Sequence, residues 1–186
     1  MSQASSRPDP LSLLRRMEQR SRQAEARHRP PVPSDRLSAI GFVVGGQRLL
    51  LALDEMHEVY NYAQQPKPSP VPGAPPSLKG MASRRGQLLP IIDLAALLLK
   101  PPLTPDREAR VLILKHSRAA AGLLVEAVAG LKHLDRAERV TEGPPFQGRT
   151  VEFLSEVYQQ DGQYWGRLSL TKLLRDPDVR KVAGVN

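Results

Sequence analysis

The sequence predicts a mainly β protein: a duplicated unit of short strands, each copy ending in a helical turn, behind a basic and partly helical extension. Three observations predict it. Short apolar runs alternate with the dipeptides Gly45-Gly46, Arg85-Gly86 and Asp161-Gly162, each suited to a two-residue hairpin turn. Proline-rich stretches interrupt the chain where a helix or a central strand would otherwise continue. The two halves also end alike. "RGQLLPIIDLAALL" (Arg85 to Leu98) and "DGQYWGRLSLTKLL" (Asp161 to Leu174) share a Gly-Gln step, apolar positions and a closing helix without a gap.

Taken in order, the elements begin with a leader helix. Asp9 caps it, Pro10 suits its first position, and Leu11, Leu14 and Met17 form a stripe that is lost in "EQRSRQAEARHR". A short helix that frays into a charged tail is the plain reading. A helix docking on a partner or an anionic membrane surface is the sharper one, for which the apolar face is short. "RPPVPSD" then acts as a stiff linker. "AIGFVV" and "QRLLLAL" form a hairpin, and a turn at Asp54 leads to a strand near Val59. "QQPKPSPVPGAPPS" is neither helix nor central strand. The Arg85-Gly86 hairpin follows, then "DLAALLL", a short helix capped by Asp93. After "KPPLTPDRE", the run Val111 to Leu114 is apolar on both faces, as in a strand inside a small barrel or between layers. "EFLSEVYQQDGQYWGRLSL" is a second hairpin, and "LTKLL" a second closing helix, with Ser169 in the capping place of Asp93. Each half alone is small for a stable core; two would share one, and barrel closure would limit exposed edges.

Bulk properties narrow the function. No run approaches the ~18 apolar residues of a membrane span, and the N-terminus lacks the apolar stretch of a secretion signal. The absence of cysteine rules out disulfides and thiolate chemistry and fits a cytoplasmic protein. The net charge of +8 points to an acidic partner, yet half of it lies in residues 1–36, where eight arginines face Asp9, Glu18, Glu25 and Asp35. That weakens a nucleic-acid reading of the body.

No catalytic motif emerges. His28, His57, His116 and His133 are scattered without metal-ligand spacing. There is no phosphate loop and no nucleophile elbow, and the acidic residues are dispersed. Trp165 and Tyr164 read as core and rim, since a base-stacking platform needs several exposed aromatics among basic residues. What remains is a surface for binding. At the first hairpin turn stand Arg84 and Arg85, where the second half carries Gln160 and Asp161. The repeat keeps the scaffold and changes the charge, and an arginine can grip a carboxylate with two hydrogen bonds. Ordinary solubility at a strand end is the competing reading.

At these residues the chain resembles the CheW-like adaptor family of bacterial chemosensory systems, over roughly Ile40 to Leu174. The resemblance runs through "FVVGGQRLLLALDEMHEV", then "VPGAPPSLKGMASRRGQLLPIIDL", and less specifically through "RVLILK", "GLLVEAV" and "GQYWGRLSLTKLL". It implies two pseudo-repeated SH3-like five-stranded barrels, with no catalytic activity, no cofactor and no metal. The domain would span 37–186, its first half about 40–100 and its second about 108–176, with exchange of terminal strands between halves left open. Residues 1–36 would be an extension resembling that of the PilI-like branch, which serves type IV pilus twitching systems.

The resemblance also implies partners: a CheA-type histidine kinase and the cytoplasmic tip of a methyl-accepting chemoreceptor, in arrays at the membrane but without insertion, and no specific nucleic acid. Carried onto this chain, the receptor-binding residues are Met56, Glu58, Val59 and Arg85. Lys79, Gly80, Arg84 and Gly86 form the interface loop. The chain departs from the family in carrying Ser83-Arg84 where Asn-Leu is usual. A small-barrel nucleic-acid binder using its basic leader is the alternative reading.

Overall fold

The computed structural model describes residues 36–115, 121–142 and 145–183. The expected leader helix, His28 and His116 lie outside them. Among the described residues the first half contains β1 (Arg36–Val44), β2 (Gln47–Ala52), β3 (Met56–Asn61), β4 (Leu78–Arg84), β5 (Gln87–Asp93) and α1 (Leu94–Leu98). The second contains β6 (Arg110–Leu114), β7 (Gly122–Val125), β8 (Ala127–Asp135), β9 (Arg139–Val140), α2 (Thr150–Phe153), β10 (Leu154–Gln160), β11 (Gln163–Leu168), α3 (Leu170–Arg175) and α4 (Pro177–Ala183).

The three turn dipeptides behave alike. Gly45 and Gly46 have φ of 56° and 73°, Arg85 and Gly86 49° and 78°, and Asp161 and Gly162 53° and 71°. Positive φ at both central residues gives the turn a twist that matches the flanking strands. The helix caps also form. Asp93 accepts from Ala96 N at 3.0 Å, and Ser169 accepts from Lys172 N at 3.3 Å. The sequence reading missed α4. Its signal was present in Asp176-Pro177, for the Asp176 carboxylate accepts from Asp178 N and Val179 N at 3.0 and 3.4 Å, and Pro177 opens the helix.

The strands form two sheets. One runs β3-β6-β7-β5-β4, the other β8-β1-β2-β11-β10 with the two-residue β9 added at its edge. The orders are the same once β8, β1, β2, β11 and β10 stand for β3, β6, β7, β5 and β4. Each sheet thus takes its first hairpin from one half and its remaining strands from the other. The parallel pairs, β5 with β7 and β2 with β11, are where the halves join.

This arrangement explains the strands that are apolar on both faces. Val111 and Ile113 point into the first barrel with Leu89, Ile91 and Leu124. Leu112 and Leu114, between them, face a larger core that also holds Phe42, Leu49, Leu51, Ile92, Leu94, Leu123 and Leu168. On β2 the same split sends Leu50 to the second barrel, with Ala39, Leu134, Tyr158 and Trp165. Trp165, 4% exposed, is core as expected. Each fully buried Leu, Ile or Phe contributes about 1.5–3 kcal/mol, and most of the largest lie in the core the halves share.

Candidate partner-docking site

β3 begins after a 3-10 turn at Leu53–Glu55 and is an edge strand of its sheet. A register shift between Met56 and Glu58 breaks its alternation at the start, and from Glu58 on the residues alternate. Met56 is half-buried against the shared core, Tyr60 packs on the first barrel's interior, and Val59 faces outward, 37% exposed. Glu58 lies on the same side as Tyr60.

The opposite edge of that sheet is β4, which ends in the Arg85-Gly86 turn. Among the described residues no backbone ladder joins β3 to β4, and side chains span the gap instead. Arg84 Nε donates to Glu58 Oε1 at 2.8 Å, and Arg85 Nη2 donates to Glu58 Oε2 at 2.8 Å. The Arg84 guanidinium also lies over the Tyr60 ring, 4.9 Å from its centroid. A cation held over an aromatic face and bonded to a carboxylate is tied on two sides. The Arg84 hydrogen bond, aided by the charges of Arg84, Arg85 and His57, outweighs burial and holds the Glu58 carboxyl below its usual range. The same bond raises the already high Arg84. Burial pushes the Tyr60 phenol up.

The second barrel closes its seam at the matching place with different chemistry. Gln160 stands where Arg84 stands in the repeat. Its amide donates to the main-chain oxygen of His133 on β8 and to Glu138 Oε1, both at 3.1 Å. The strands bridged are equivalent, but among the described residues the position of Arg84 is filled by an amide.

Lys79 and Gly80 serve the scaffold. Lys79 Nζ turns inward, donating to the Leu103 main-chain oxygen at 3.1 Å and lying 3.8 Å from Asp93 Oδ2. Asp93 is fully buried, caps α1, and accepts from Leu103 N at 3.0 Å. Burial raises its carboxyl above the usual range, against the pull of those bonds and of Lys79. Gly80, at φ 141°, lies where Ser69 of the proline-rich segment pairs with Met81. A Cβ on Gly80 would come within 2.4 Å of the Ser69 oxygen, so only glycine fits.

Met56, Glu58, Val59, Arg84, Arg85 and Gly86 therefore lie along or beside one seam, and Lys79 and Gly80 support it from behind. Two neighbours escaped the sequence reading. Tyr60 is the platform under Arg84. Leu88, 65% exposed on the outer face of β5, sits across from Ser83. Strand alternation carried the signal for Leu88, since Leu88 and Leu89 cannot both face the barrel interior. Among the described residues no group of His, Asp or Glu converges to hold a metal ion, and no helix is long and apolar enough to cross a membrane.

Residues 38–178 match the CheW-like domain. The chain belongs to the CheW-like family. Protein PilI of Pseudomonas aeruginosa is 34% identical over 129 residues, 69% of this chain and 70% of that protein. A probable chemotaxis protein CheW of Rhizobium etli is 30% identical over 92 residues, half of this chain and 57% of that protein. The crystal structure of the scaffolding protein TtCheW from Thermoanaerobacter tengcongensis superposes with a TM-score of 0.66 at 20% identity, covering 76% of this chain and 94% of that one. It supports the fold. Within the CheW-like family this chain falls in the PilI-like branch. The family is one of non-catalytic scaffolds, and the functional class that goes with it is a chemosensory adaptor.

Proposed function

We propose that this CheW-like protein couples a methyl-accepting chemoreceptor to a CheA-type histidine kinase, without catalysis of its own, in a system that drives type IV pilus twitching. It works at the cytoplasmic side of membrane-anchored receptor arrays, and residues 1–36 are an extension to the adaptor domain of residues 37–186. The pilus output is supported by the likeness to PilI. Met56, Glu58, Val59 and Arg85 face the receptor tip, with Arg84 and Gly86 shaping the loop and Lys79 and Gly80 bracing it.

The observation that carries this reading is Arg85. It is 70% exposed, bonded through a single terminal nitrogen, and held at a turn where φ is 49°. An L-residue other than glycine, asparagine or aspartate is disfavoured there. A charged residue kept in a strained, exposed position beside exposed Val59 fits a contact with a helix, which needs apolar anchors and a few polar ones. In membranes carrying receptor and kinase, Arg85→Glu should lower receptor-dependent kinase output about tenfold while kinase binding and the folded state persist. Unchanged coupling refutes the role of Arg85, and global unfolding of the variant makes it a structural arginine.

A further inference from the structure

Arg84 and Arg85 share one carboxylate, and they share it unequally. Arg84 is the inner partner: its side chain is 29% exposed, lies over Tyr60 and bonds Oε1 through Nε. Arg85 is the outer partner, 70% exposed, with one bond from Nη2 to Oε2. A guanidinium has five N–H donors, so most of those on Arg85 remain for another acceptor. Two arginines against one carboxylate also leave the seam with a surplus positive charge.

We propose that Arg84 is the specificity-determining residue of this face. By holding Glu58, it releases Arg85 to a carboxylate on the partner, so the site selects a helix that carries an acid at the contact. The inference rests on the receptor reading above and adds to it which helices are accepted.

The argument is one of charge balance. An incoming carboxylate that takes Arg85 end-on, through both terminal nitrogens, competes with Glu58 for Nη2 and draws Arg85 away from it. The bond it displaces is exposed and weak. With Arg84 in place, Glu58 stays neutralised and the complex contains two arginines and two carboxylates. Without Arg84, the same event leaves Glu58, only 17% exposed, without a partner, and sets two carboxylates against one arginine. The second barrel gives the contrast. Gln160, in the place of Arg84, bridges its seam with an uncharged amide, bonded to a main-chain oxygen and to the Glu138 carboxylate, and so adds no positive charge of its own. Val59 and Leu88 offer apolar contact that does not depend on partner charge. Arg84 therefore governs which helix binds, whereas these residues govern that a helix binds.

The test uses the full-length protein and the soluble helical-hairpin tip of the chemoreceptor from the same cell, in two forms: natural, and with its surface glutamates changed to glutamine. Calorimetric titration at low salt should show the unmodified protein preferring the acidic hairpin about tenfold. Arg84→Leu should erase most of that preference while still binding the amide form, and Arg84→Lys should keep part of it. An Arg84→Leu protein with the full preference overturns the proposal. Equal binding of both hairpins by the unmodified protein overturns it too, with the receptor reading intact. Binding of neither hairpin sinks the receptor reading itself. A partner-free measurement stands beside these. In Arg84→Leu, Glu58 has only Arg85 to hold, so hydrogen exchange at the Arg85 side chain should slow by NMR; unchanged exchange refutes the clamp.

Discussion

Val59 on β3 and Leu131 on β8 occupy the same place in the two barrels. Val59 pairs with Leu112, and Leu112 with Leu123; Leu131 pairs with Ile40, and Ile40 with Leu51. Both are exposed, at 37% and 54%, on the outer face of an edge strand. What differs is the neighbourhood: Val59 is next to Glu58 and its two arginines, and Leu131 is not.

That equivalence supplies an internal control for the docking face. Val59→Lys should weaken binding to receptor tips about tenfold or more. Leu131→Lys should leave receptor binding as it is. Both substitutions lie on the surface and should change unfolding free energy by no more than about 0.5 kcal/mol. Equal losses of binding from the two variants would refute the assignment of the face to β3.

Arg85 makes a second, separable prediction. Asparagine tolerates left-handed backbone better than arginine, and the ion pair of a largely exposed arginine adds little. Arg85→Asn should therefore unfold at the same temperature as the unmodified protein or higher, by about 0.5–1 kcal/mol, while losing receptor coupling. A clear drop in thermal stability would mark Arg85 as part of the scaffold.

Asp93 predicts the reverse. Removing its carboxylate takes the cap from Ala96 N and leaves the half-buried Leu103 N without its acceptor. Asp93→Ala should cost about 2–4 kcal/mol in chemical denaturation. Ser169→Ala, its counterpart at α3, loses a single cap bond and should cost about 1 kcal/mol. Equal costs would mean that the Leu103 bond adds nothing.

Tyr158 sets an alkaline limit. Burial, then the bond of its hydroxyl to Glu156 at 2.9 Å, pushes its phenol up to about 12 from 10.0. The folded state keeps that proton longer than the unfolded chain does. The stability this provides is full below pH 10 and is lost as pH rises towards about 12. Ultraviolet titration should show a late-ionising tyrosine, and Glu156→Gln should bring its midpoint down part of the way. A midpoint unmoved by that change leaves burial as the whole cause. Glu58 works in the other direction. Its carboxyl is held low, so its contribution is present above the usual glutamate range and fades as the pH falls through the folded-state value.

Much of this fold is legible in local sequence. The turn dipeptides need positive φ, the cap positions need a short acceptor, and the doubly apolar strand at Val111 to Leu114 requires a core on each side. These depend on a few consecutive residues. The site is less legible because its parts are brought together by closure of the sheet. Nothing near Glu58 in the chain announces that Arg84, 26 residues on, will reach it. Lys79 illustrates the same limit. It sits beside the signature glycine as though for an interface, and the fold turns its amine inward to Leu103 and Asp93. The missed α4 is of another kind, for its Asp-Pro start was readable and lacked only the expectation of a helix there.

The trading of first hairpins between the two halves has a consequence for how the protein is made. Arg36 of β1 pairs with Asp135 of β8, 99 residues later. On a ribosome adding about 5–20 residues per second, β1 and β2 wait roughly 5–20 s for that partner. During that interval an apolar hairpin has emerged with no sheet to join. Contacts this distant in sequence also slow folding once the chain is complete. The interleaving that unites the halves thus leaves the edges and apolar side chains of that hairpin uncovered during synthesis, the kind of exposure that favours aggregation.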